Sequence, residues 1–162
     1  TWGNLVNRVL SMVHKNHGAQ PASDGRTAED EAVLAAVDAS LATAGEQIER
    51  VELRNALRTA MDGAQAVNAY LNATEPWRLA KTDPDRAAVV LATALDAING
   101  VRVAFGPFLP FSSAILDDAL GAVDGWRRVA VAPGTTIAKP VPLFAKVDID
   151  ELLGDDTVGD ED

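Results

Sequence analysis

Up to Leu120 the apolar residues recur at every third or fourth position, which commits most of the chain to amphipathic helices. Leu5, Val6, Val9, Leu10 and Val13 form one such stripe, and Gly18 is the natural stop. After the surface loop AQPASDGR, Thr27 with Asp30 or Glu31 begins a second helix, whose stripe is Leu34, Val37, Leu41, Ala44 and Ile48. A third carries Leu53, Leu57, Ala60, Met61, Ala64, Val67 and Leu71; its join to the second, near Arg50, has no Pro or Gly to mark it. Asp83 before Pro84 reads as an N-cap followed by proline at the first helical position. It opens a fourth helix, through Val89, Leu91, Leu95, Ile98, Val101 and Phe105, that is apolar over much of its circumference and so should be the most buried. Gly106 and Pro107 stop it, and Ser112 or Ser113 caps a short fifth helix that ends at Gly121.

Beyond Gly125 the pattern breaks. Pro133, Pro140 and Pro142 forbid a long helix and imply an extended arm. The expected fold is therefore all-α: a bundle of four to five helices over residues 1–121, an extended arm over 122–149 and an acidic, disordered tail over 150–162. With 48% hydrophobic residues in a chain of 162, there is enough to bury one core, which excludes a complete large enzyme.

The formal charge of −10 argues at first against a nucleic-acid partner. Eight of the 24 acids, however, lie at or beyond Asp148, and no Lys or Arg follows Lys146. Residues 1–147 hold 14 bases and 16 acids, a balance of −2, so the acidity belongs mostly to the tail. No cysteine is present, so there is no disulfide, thiolate nucleophile or Cys-ligated zinc. His14 and His17, three apart near a helix end, read as solvated residues, too few for a metal site. No apolar run is expected to reach the ~18 residues of a membrane span, and Thr1 to Arg8 lacks a signal-peptide pattern. The expectation is a soluble, cytoplasmic chain without a membrane partner. Because it opens inside a helix with no N-cap, it reads as cut from something longer.

No catalytic apparatus is visible: there is no phosphate-binding GxxxxGK[ST], no GxGxxG, no GxSxG and no HExxH. Glu29, Asp30, Glu31 and Asp38 read as the solvated face of the second helix rather than an acid/base pair. More informative are Asn4 and Arg8, one helical turn apart on the opening helix, and Trp77, which follows Pro76 at a corner after Asn68 and Asn72. Taken alone, a helical arginine is a solvated charge and a Trp beside Pro a packing anchor.

Four stretches change that reading: WGNLVNRVL (Trp2 to Leu10), NAYLNATEPWRLAK (Asn68 to Lys81), PFLPFSSAIL (Pro107 to Leu116) and PLFAKVD (Pro142 to Asp148). In this order they resemble the C-terminal part of bacterial methionyl-tRNA synthetases, over nearly the whole chain. The HIGH-like and KMSKS-like active-site motifs of that family are absent. The resemblance implies an anticodon-binding helical bundle, with Asn4, Arg8 and Trp77 reading the CAU anticodon of tRNA(Met) and especially its first base. Asn68 and Asn72 are implied secondary RNA contacts, and Arg54, Arg58, Arg78 and Lys81 local phosphate contacts. It also implies no catalytic residue, metal or cofactor in this chain, with ATP and Mg belonging to a separate catalytic domain. Trp126, Val129, Val131, Ile137, Leu143 and Phe144 of the arm would pack toward that domain. Two alternatives stand beside it: the anticodon domain of another class I synthetase, and a helical protein-interaction scaffold. No DNA partner is implied.

Overall fold

The computed structural model describes residues 2–144; the expected acidic tail and the end of the arm lie outside them. Among the described residues six helices follow one another: α1 (Trp2–Asn16), α2 (Ala28–Glu49), α3 (Leu53–Thr74), α4 (Pro76–Thr82), α5 (Pro84–Phe105) and α6 (Pro110–Leu120). The one beyond the expected four to five is α4, which occupies the place of the corner anticipated around Trp77.

Helix α5 is the axis of the bundle. Every residue from Val90 to Arg102 is buried, and α1, α2, α3, α4 and α6 all pack on it. Its length and apolarity would suffice to cross a membrane, contrary to the expectation that no run reaches that length, but most of it lies inside the bundle. A helix surrounded by other helices has no polar face to show. Contact between α2 and α5 is close: a Cβ added at Gly100 would stand 2.7 Å from Val37 Cγ1. On α3 the inward face is Ala56, Ala60, Ala64, Val67, Tyr70 and Leu71, whereas Leu53, Leu57 and Met61 of the expected stripe remain exposed.

Helix α2 begins as expected at Thr27, whose amide donates to Asp30 Oδ2 at 2.8 Å. Asp30 nonetheless does not belong to a solvated face. It is fully buried and accepts from Arg86 Nη1 at 2.5 Å, Arg86 Nη2 at 2.8 Å and the Tyr70 hydroxyl at 2.5 Å. Burial alone would raise its pKa, but hydrogen bonds from Arg86, Tyr70 and Thr27 hold it well below the usual carboxylate range. Burial, reinforced by Asp30, keeps the Tyr70 phenol protonated. Asp38 is exposed, as expected, and is clasped by Arg128 through two hydrogen bonds of 2.7 Å.

Helix α2 ends in a Schellman motif: the Glu52 amide donates to Gln47 O at 2.8 Å and the Val51 amide to Ile48 O at 2.9 Å. The left-handed position, usually glycine, is Val51 at φ 60°. At the other end of the bundle α6 begins earlier than expected. Pro110 takes the first turn and Leu109 is the N-cap, while Ser112 donates back to Leu109 O at 3.1 Å.

Four buried polar residues, Thr93, Asp96, Asn99 and Arg102, recur every third position along α5, and each finds a hydrogen-bond partner outside the helix, although Asn99 Oδ1 and Arg102 Nε have none among the described residues. Arg26 donates to Thr93 Oγ1 and to Asp96; the Val131 amide donates to Asp96 Oδ1 at 2.7 Å; Asn99 Nδ2 donates to Val129 O at 2.6 Å. Burial pushes the Asp96 carboxyl up from its ordinary value against the pull of Val131 and Arg26. Arg102, 2% exposed, donates to Asp117 and to Gly121 O and so ties the end of α6 to α5. The arm is therefore fastened to the bundle itself. Trp126 Nε1 donates to Leu41 O at 2.7 Å, and the chain around Ile137 bonds to residues 18–20. Of the arm residues expected to face another domain, Val131, Ile137 and Leu143 are in the bundle's own core; Trp126, Val129 and Phe144 keep substantial exposure.

Candidate functional site

Helix α1 turns Leu5, Val6, Val9, Leu10 and Val13 into the core, which leaves Asn4, Asn7 and Lys15 outward and Arg8 at the margin. Helix α4 is set by a local conflict. Glu75 precedes Pro76, and a residue before proline is disfavoured in the right-handed helical region. Glu75 takes the left-handed conformation, φ 43° and ψ 58°, and α4 leaves α3 at a bend with Pro76 buried at its start. Trp77, the next residue, is 39% exposed.

The bend brings α1, α3 and α4 together at Arg8. Its guanidinium carbon stands 5.7 Å from the centroid of the Trp77 ring, within range of a cation–π interaction. Its Nη2 donates to Asn68 Oδ1 at 3.2 Å. Its Nε is buried without a hydrogen-bond partner among the described residues. Beyond the indole, Trp77 borders a cleft of about 410 Å³ whose walls are Ser11, Met12, Lys15 and Asn16 of α1 and Ala80 and Lys81 of α4. The flat ring, a cation on its face and two lysines along its cleft can stack an unpaired base and hold the phosphate beside it.

Not every expected residue converges. Asn4 is exposed one turn before Arg8, and it lines a separate recess with Gly3, Asn7, Pro142, Leu143 and Phe144. Asn72 is exposed one turn beyond Asn68. Arg78 pairs with Glu75 at 2.8 Å, and Arg54 and Arg58 lie at the far end of α3. His14 Nδ1 is 2.8 Å from Ile137 O; a carbonyl only accepts, so this nitrogen donates and the ring fastens the arm. Sequence reasoning missed Ser11 and Lys15, although they follow Arg8 by three and seven positions on one face of α1.

A family profile described as the anticodon binding domain of methionyl tRNA ligase matches residues 20–154, which include Asn68, Asn72 and Trp77 and begin after α1. The methionine–tRNA ligase of Beutenbergia cavernae is 40% identical over 182 residues, covering 91% of this chain and 30% of that protein. That of Roseiflexus castenholzii is 38% identical over 179 residues, with the same coverage. Among solved structures, apo methionyl-tRNA synthetase of Mycobacterium tuberculosis matches with a TM-score of 0.81 at 26% identity, covering 90% of this chain and 31% of that one. Its methionyl-adenylate complex matches with a TM-score of 0.80 at 27% identity, covering 88% and 30%. Fold and comparisons define a helical domain of the aminoacyl-tRNA synthetase class. Within that class, the chain belongs to the family of anticodon-binding domains of methionyl-tRNA ligase. It spans about 30% of the length of the relatives it matches.

Proposed function

We propose that this domain binds tRNA(Met) through the CAU anticodon, so that the parent enzyme attaches methionine to the matching tRNA. The observation that carries the reading is the convergence of Arg8 and Trp77 from two distant helices. An unpaired cytosine offers N3 and O2 as acceptors, which suit a guanidinium that only donates; uracil presents a donor at N3 instead. Trp77 supplies the surface on which the base stacks, worth about 1 to 3 kcal/mol per base. Asn4, exposed one turn from Arg8 but lining a separate recess beside the arm, is assigned to another part of the anticodon loop, where an amide can both donate and accept.

Methionine activation with ATP and Mg is assigned to a catalytic part of the parent, as is most of the grip on the tRNA body. Recognition of bases rather than many phosphates is compatible with the near-neutral balance of residues 1–147. This role places the protein in the cytoplasm with the rest of translation, without a membrane or DNA partner.

The test is an equilibrium titration of the CAU stem-loop, and of one with uracil as first base, against wild type and Arg8→Ala. The reading expects Arg8→Ala to narrow the preference for cytosine. An unchanged preference removes Arg8 as the base reader.

A further inference from the structure

We infer that Asn68 is a positioning residue: its side-chain carbonyl holds the Arg8 guanidinium over Trp77, so that Arg8 meets the base already oriented. The inference rests on the anticodon reading above and assigns Asn68 a role through Arg8 in place of direct contact with RNA.

The chemistry fixes the geometry. Arginine has only donors, so the atom of Asn68 that faces Arg8 is its carbonyl oxygen, and the amide cannot be reversed without losing the bond. That bond engages Nη2, the Trp77 ring takes the face of the guanidinium, and Nε is buried. Neither Nε nor Nη1 has a hydrogen-bond partner among the described residues, but Nε is buried, so Nη1 is the donor left for an acceptor from outside. Asn68 is itself half-buried, bordering an apolar groove with Trp2, Met61 and Phe105. A long side chain with many rotamers loses freedom when it binds; one held beforehand from two sides loses less and is more selective about where its ligand's acceptors lie.

A double-mutant cycle on the 162-residue chain tests this, using synthetic stem-loops with cytosine or uracil as first base. The readout is the ratio of the two dissociation constants, with helical circular dichroism as a check on folding. Asn68→Leu should reduce the ratio by about tenfold, the size of one charge-assisted hydrogen bond. In an Arg8→Ala background the same substitution should change nothing further. Asn68→Asp retains the acceptor, so it should preserve the ratio while its charge weakens both loops alike. If Asn68→Leu fails to fold, Asn68→Ala takes its place in the cycle.

A ratio untouched by loss of the acceptor overturns the positioning role, as does a further loss in the Arg8→Ala background, which would mean that Asn68 touches RNA itself. Should Arg8→Ala leave the ratio at its wild-type value, the assignment of Arg8 as base reader is what fails. Should Arg8→Ala lower it and Asn68→Leu not, only the positioning role fails.

Discussion

Arg8 and Trp77 meet at 5.7 Å although one belongs to the first helix and the other to the fourth, because α1 and α4 both pack on α5. The buried axis thus determines where the two side chains end. The contact itself contributes only about 0.5 to 1 kcal/mol at so exposed a position, so its importance lies in placement rather than stability.

Replacing the ring should therefore affect binding and spare the fold. Trp77→Ala is expected to weaken the CAU stem-loop by about tenfold or more, in line with the loss of one stacked base. Helical circular dichroism should be unchanged, since the side chain is 39% exposed. Equal affinities of variant and wild type would take Trp77 out of the site.

Val51 offers a gain in stability. A β-branched residue at φ 60° is strained by about 1 to 2 kcal/mol relative to glycine, and at 77% exposure it has little packing to lose. After the entropy cost of glycine, Val51→Gly should raise stability by about 0.5 to 1 kcal/mol in chemical denaturation. A drop in the midpoint would contradict a Schellman ending at this position.

Acid should act through Asp30. Its folded pKa lies below the ordinary 3.8, so its contribution is complete above that value and fades as pH falls toward the folded pKa. At neutral pH Asp30→Asn is expected to cost about 3 kcal/mol, because it strips a buried pair of its anion. The difference between wild type and variant should shrink as pH falls below 3.8. A constant difference from pH 7 down to about pH 2 would show that the ion pair does not stabilise the fold.

Asp96 should govern the arm. It is the acceptor for the Val131 amide, so Asp96→Ala is expected to lower native-state hydrogen-exchange protection at Val131 by tenfold or more, about 1.5 kcal/mol. Unchanged protection would mean that the Asp96 carboxylate is not what holds the arm at Val131.

Much of this architecture was legible in the sequence because its punctuation is chemical: Gly18, the Thr27 start and the Asp83–Pro84 cap all act where they stand. The α2–α3 join was not, since valine occupies the left-handed position where glycine would have marked it. Helix α4 is seven residues long, too short for a period to show. Asp30 looked solvated because its partners, Tyr70 and Arg86, are 40 and 56 positions away; Asp38 is exposed as expected, but its pairing with Arg128, 90 positions away, was equally invisible. At the site, one-turn spacing paired Asn4 with Arg8, yet only the packing on α5 reveals that Arg8 reaches Trp77 and Asn68 whereas Asn4 borders the arm.

The most direct test is a side-by-side titration of the wild-type domain with the CAU anticodon stem-loop and with the same loop altered only at its first base. The account predicts measurably tighter binding of the cytosine loop, by about tenfold, the size of one charge-assisted hydrogen bond. Equal affinity for both loops would contradict it.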